Sequence, residues 1–76
     1  MPLHPTDSLR HEAIKRGLRE LGISFGALAR ELDVSKTSVV TVSQGHRRSH
    51  RIQEAIANKL GTRPEDLFPD RYQRSA

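Results

Sequence analysis

Lys36, Thr37, Val40, Thr41 and Gln44 recur at intervals of one, three and four residues, the spacing of one side of an α-helix. Their chemistry is that of groups that touch base edges. Lys36 can donate to guanine O6 and N7, the two threonines carry a hydroxyl and a methyl, Gln44 carries an amide, and Val40 suits a thymine methyl. The same residues also describe an ordinary solvated helix face, and Val40 is equally suited to the edge of a core. Gln44 is balanced between the two readings.

A second set of polar groups surrounds this stretch. Gly45-His46-Arg47-Arg48-Ser49 is a basic loop that runs on into His50 and Arg51. Cations in a loop that leads into a helix N-terminus suit phosphate, although a solvated basic loop is the competing reading. Ser24, Ser35, Ser38, His46, Arg47, Arg48 and Arg51 are therefore the candidate phosphate contacts, the serines doubling as helix caps or surface hydroxyls. His46 and His50 have metal-like spacing, but no cysteine or carboxylate lies close by in sequence, so no metal site or cofactor is expected. No catalytic constellation accompanies them. Glu12 and Glu20 sit among basic residues as helical ion pairs, the four histidines have no nucleophile in an evident setting, and there is no glycine-rich phosphate loop, so no enzyme is expected.

The elements that must position these groups follow from caps and periodicity. Asp7 or Ser8 can cap a first helix of roughly Leu9 to Leu21, with Leu9, Ala13, Ile14, Leu18 and Leu21 as its apolar stripe and Gly22 as its stop. Arg10, Lys15, Arg16 and Arg19 are expected to cover its surface. Ser24 caps a second helix from Phe25 to about Leu32, and Ser35 caps a third from Lys36 to about Gln44, stopped by Gly45. Val39, Val40 and Val42 are poor helix formers, so propensity alone allows a strand there. The caps at both ends favour helix. A fourth helix from His50 to Leu60 buries Ile52, Ala55, Ile56 and Leu60. Thr62 and Glu65 have capping-box form for one further turn through Leu67 and Phe68, ended by Pro69.

Leu28, Ala29, Leu32, Val34, Val39 and Val42 then occupy the apolar positions of a helix-turn-helix. Where two short helices cross at about 90–120°, only a small side chain such as Ala29 fits on the inner face of the first. Val34 plugs the corner, and Val39 and Val42 anchor the third helix from beneath. Asp33 stands at the corner, where this motif usually has glycine in positive φ. Aspartate tolerates that conformation better than most residues.

From about Gly22 to Tyr72 the chain also resembles the Ner-like regulators of Mu-type phages and their bacterial relatives. The similarity lies in "SFGALAREL", "VSKTSV", "RIQEAIANKLG" and above all "RPEDLFPDRY". It implies a lambda-repressor-like helical bundle that binds operator DNA as a transcriptional regulator. Two features depart from the family pattern. The first helix is longer by about two turns, judged from its His4-Pro5 start, and Phe68 stands where the family commonly has tryptophan.

Size and composition bound the alternatives. A chain of 76 residues with a formal net charge of +4 is one small basic domain. Its stability is expected to be only about 3–5 kcal/mol. Three aromatic residues are too few for a platform that stacks single-stranded bases. With no cysteine, no signal-like core and no apolar run that spans a bilayer, a cytoplasmic protein without membrane association is expected. The expected architecture is an all-α domain of four to five helices over residues 8–69, with a flexible lead at 1–7 and a loose tail at 70–76. The expected function is sequence-specific binding of double-stranded operator DNA through the major groove, as a repressor. No large apolar interface is evident, so a monomer that pairs on adjacent half-sites is expected. The competing class is a protein-interaction module of the same fold that docks on polymerase or another regulator through the first helix or the tail. Such a surface needs an exposed apolar patch, for which the sequence offers Val40 and Tyr72.

Overall fold

The computed structural model describes residues 5–72. Every regular element among the described residues is helical: α1 Pro5–Glu20, α2 Phe25–Leu32, α3 Lys36–Gln44, α4 His50–Lys59 and α5 Pro64–Leu67, followed by a 3-10 turn at Pro69–Arg71. No strand forms at the valines of α3, because local caps outweigh β propensity. The Ser35 side chain accepts the Ser38 N–H at 3.1 Å, and Gly45 closes the helix in the left-handed region at φ 90°. No helix among the described residues is long and apolar enough to cross a membrane.

The corner forms as the residue types require. Ser24 caps α2 by accepting the Ala27 N–H at 2.9 Å. Asp33 takes φ 57° and ψ 46°, its N–H bonding back to the Arg30 carbonyl, while the Val34 N–H closes on Ala29 at 3.0 Å. Leu28, Ala29, Val39 and Val42 are buried, with Leu32 and Val34 packed half-buried against them. Ile14, Leu18, Ile52, Ile56 and Phe68 complete the core from α1, α4 and the segment after α5. Gly17 is unfavourable in mid-helix by itself, but a Cβ there would lie 2.7 Å from Leu60 Cδ2. The glycine lets the end of α4 approach α1.

Several sequence expectations are corrected. The first helix begins at Pro5, not near Leu9, so neither Asp7 nor Ser8 is its cap. Proline suits the first helical position, where its missing N–H has no helical partner to lose. The apolar stripe of α1 is narrower than periodicity suggests. Ile14 and Leu18 are buried, whereas Leu9 is 73% exposed, Leu21 is 56% exposed and Ala13 is exposed. Arg10, expected on the surface, is only 8% exposed. The predicted capping box also fails. Arg63, not Thr62, is the N-cap residue of α5 and makes no capping bond, its guanidinium pairing instead with Asp66 at 3.0 Å. In α4, Ala57 and Gln53 are buried while Ala55 and Leu60 are half-buried.

The segment expected to be a loose tail is built into the fold as far as it is described. Arg71 donates to the Val42 carbonyl at 3.0 Å and to Gln53 Oε1 at 3.3 Å, and its guanidinium lies 4.5 Å from the centre of the Phe68 ring. Arg10 lies 5.1 Å from the centre of the same ring and binds Asp7 at 3.1 Å. The Tyr72 hydroxyl takes a bond from Gln53 Nε2 at 2.9 Å and lies 2.6 Å from His50 Nδ1. Buried Gln53 thereby has both ends satisfied, since its Oε1 also accepts the Ser49 N–H at 3.2 Å. Residues 1–4 of the expected lead and 73–76 of the tail lie outside the described residues.

Candidate nucleic-acid interface

Helix α3 is held from beneath by Val39 and Val42, which are fully buried. That anchoring turns Lys36 and Thr37 outward, where they are exposed, and leaves Val40, Thr41 and Gln44 half-buried along the same helix. The five candidate base-reading residues thus all reach the surface of one element. Val40 is half-buried without packing against the core cluster. Thr41 donates its hydroxyl hydrogen to the Thr37 carbonyl at 2.8 Å and contacts the Ser38 carbonyl at 3.1 Å, so toward a base it offers an acceptor and a methyl rather than a free donor.

The candidate phosphate contacts divide into two groups. His46, Arg47 and Arg48 are exposed in the loop between α3 and α4, and none is engaged by a carboxylate among the described residues. The others already have structural partners. Ser24 and Ser35 are the caps described above, and Ser38 Oγ lies 2.9 Å from Ser35 Oγ. Arg51 donates to the Leu32 carbonyl and ties α4 to the end of α2. His50 is held by Tyr72 and lies 3.7 Å from Glu54, so it is not paired with His46. Among the described residues no group of three or more His, Asp or Glu side chains is placed to hold a metal. Glu12 pairs with Lys15 at 3.6 Å, one turn along α1, as its spacing suggests.

Two features of this surface are not legible from motif spacing alone. The first is a set of contacts that orient α3 from the chain ends. Arg71 holds the carbonyl of Val42 in its last turn, and a Cβ on Gly45 would lie 2.7 Å from the Asp7 carboxyl carbon. Gly45 is thus required twice, for its positive φ and for the room it leaves Asp7. His11 of α1 adds a third contact. Its ring stacks on Phe25 at 5.8 Å and its Nδ1 lies 2.8 Å from the Oγ of fully buried Ser43. Burial, then the Lys15 charge, push the His11 pKa down, against a smaller opposing effect of Glu12. The second feature is an open cleft of about 470 Å³ between α1 and the start of α2, lined by Lys15, Arg19, Ser24, Phe25 and Lys36 among others. The i,i+4 spacing of Lys15 and Arg19 was the available signal, but on a helix carrying four cations it does not single them out.

Comparison with known proteins agrees with this arrangement. A family model described as winged helix-turn-helix DNA-binding matches residues 9–76. The chain is also 33% identical over 57 residues to a protein of Escherichia phage Mu described as a negative regulator of transcription, covering 75% of this chain and 73% of that protein. No solved structure matches. The described residues contain no strand, so the wing in the family description has no counterpart among them. The corner, its caps and the outward-facing α3 account for the part of the description that does apply, and this chain belongs to the helix-turn-helix DNA-binding family that its sequence matches over residues 9–76.

Proposed function

We propose that this protein is a sequence-specific, double-stranded DNA-binding repressor of transcription that inserts α3 into the major groove. The observation that carries this reading is a nine-residue helix anchored by Val39 and Val42 with Lys36, Thr37, Val40, Thr41 and Gln44 on its accessible side. The phage Mu relative, described as a negative regulator, supports the sign of regulation. Lys36 is assigned to a guanine edge, Thr37, Thr41 and Gln44 to polar base edges, and Val40 to a thymine methyl. His46, Arg47 and Arg48 supply sequence-independent attraction to phosphate, assisted by Ser24, Ser35, Ser38 and Arg51 where their structural bonds leave capacity. Repression follows most simply from occupying DNA that polymerase needs.

One such domain reads about half a helical turn, so two copies on half-sites about 34 Å apart are required for useful specificity. Selection from a pool of random duplexes tests the reading. Enrichment of one motif supports specific recognition, two spaced half-sites support paired binding, and a pool that stays random refutes sequence-specific recognition. The competing role in docking on another protein is favoured only by the exposure of Leu9 and Leu21. Leu9 lies in the second turn of α1 and Leu21 just past its last residue, about 18 Å apart at helical rise, and so they form no contiguous patch.

A further inference from the structure

The cleft between α1 and the start of α2 adjoins the proposed base-reading face but is not explained by it. Lys15 and Arg19 stand on α1 and line one wall, and Lys36 and Ser24 line it from the third helix and the α2 cap. No carboxylate is among its lining residues, and Arg19 and Lys36 have no ion-pair partner among the described residues. Lys15 is shared with Glu12 at 3.6 Å, a pair in which both side chains are substantially exposed to water and weakly coupled. The volume, about 470 Å³, has room for a phosphodiester with part of its hydration shell, given about 30 Å³ per water.

The position of this cleft relative to the basic loop is the second observation. Lys36 is the first residue of α3, and His46–Arg48 follow its last residue. Nine residues at 1.5 Å span about 13 Å, close to the major-groove width of about 12 Å. A helix that lies across the groove therefore has cationic groups at each end, facing the two phosphate walls.

We infer that Lys15 and Arg19 form a second phosphate-binding edge, which grips the DNA strand opposite the one that faces the His46–Arg48 loop. This rests on the proposed insertion of α3 and extends the interface onto α1. The two edges act as a clamp: each contributes affinity without sequence preference, and together they fix the depth and tilt of α3. Lys36 lines the cleft as well, so the second edge leads directly into the proposed base-reading face.

Titration of the full chain with a mixed-sequence duplex at several salt concentrations tests the clamp. Neutralising one phosphate-binding cation should flatten the slope of log K against log salt by about 0.9, so Lys15→Gln with Arg19→Gln should flatten it by about 1.8. Affinity for the mixed-sequence and the selected duplex should fall by the same factor. Glu12→Gln provides a variant of opposite sign. It frees Lys15 and removes a repulsive charge, so it should tighten both duplexes and steepen the slope. If both variants keep the parent's slope while Arg47→Gln with Arg48→Gln flattens it, the cleft is not part of the interface, although α3 insertion survives. If the parent binds no duplex, the proposed function itself fails. Titration with inorganic phosphate alone distinguishes the remaining source of this chemistry. Saturable shifts at the Phe25 and Gly26 amides, together with unchanged salt slopes in the variants, identify a small-anion site and overturn the clamp.

Discussion

The corner between α2 and α3 and the clasp between the chain ends solve the same problem, that of orienting α3, by different physics. The corner is local. Two serine caps, one left-handed aspartate and small Ala29 lie within fifteen residues of one another, and each bond closes over three to five positions. The clasp is nonlocal. Asp7 and Arg10 come from the first helix, Phe68 and Arg71 from the end of the described chain, and their target is the Val42 carbonyl and the Gly45 backbone in between. The corner sets the angle at which α3 leaves α2, and the clasp sets where its C-terminal end comes to rest. A short helix held at one end pivots, whereas one held at both ends presents its side chains in one register.

Removing the centre of the clasp gives the largest expected effect. Phe68 is fully buried with two guanidinium groups over its ring, and Phe68→Ala should cost about 3–5 kcal/mol. A domain of this size should then be largely unfolded, as a thermal melt by circular dichroism reads directly. A cooperative melt within a few degrees of the parent shows that the ends are not integral to the fold.

Overpacking the corner comes next. Ala29 is 2% exposed, and Ala29→Leu should destabilise by about 1–3 kcal/mol. Equal stability of variant and parent means that α2 and α3 do not cross closely at this residue. Arg71→Ala belongs to the same range, about 1–3 kcal/mol, because it removes a charged donor that the Val42 carbonyl and Gln53 Oε1 share. Its distinguishing readout is local. The amides of Val42 to Gly45 should lose hydrogen-exchange protection more than those of α2 do. Uniform loss across both helices means that Arg71 supports the core without orienting α3.

A smaller change of opposite sign tests the corner's backbone. Asp33 holds φ 57°, a conformation that costs an aspartate more than a glycine. Asp33→Gly should raise stability by about 0.5 kcal/mol, measured by urea denaturation, and a loss of stability shows that the carboxylate is needed there.

The smallest expected effect concerns His11, which joins α1 to both halves of the motif. Its folded pKa is depressed below 6.5, so the folded state binds fewer protons than the unfolded one as the pH falls through that value. The stabilisation is therefore complete above about pH 6.5 and is lost on acidification through the unfolded value toward the folded one. The difference in melting temperature between pH 7.5 and pH 5 should be smaller in His11→Gln than in the parent. An unchanged difference shows that the ring's contacts with Phe25 and Ser43 do not favour its neutral form.

What the sequence determined by itself is what short-range chemistry controls. Ser24, Asp33, Ser35 and Gly45 place α2 and α3 within a residue of their observed ends, because a cap acts on backbone groups three or four positions away. Ala29, Val39 and Val42 identify the buried side of the corner for the same reason, since one face of an eight- or nine-residue helix leaves few choices. The tertiary structure decided the rest. Leu9 and Leu21 share the helical period of Ile14 and Leu18, yet both stay outside the core and largely exposed. Arg10 reads as a surface cation and Arg71 as part of a loose tail, and only the approach of α1 to the segment after α5 brings both over a buried phenylalanine ring. The cleft of Lys15, Arg19 and Lys36 likewise exists only because α1 passes the start of α2. Periodicity reports which residues share a face, but which faces meet depends on how the helices pack across the whole chain.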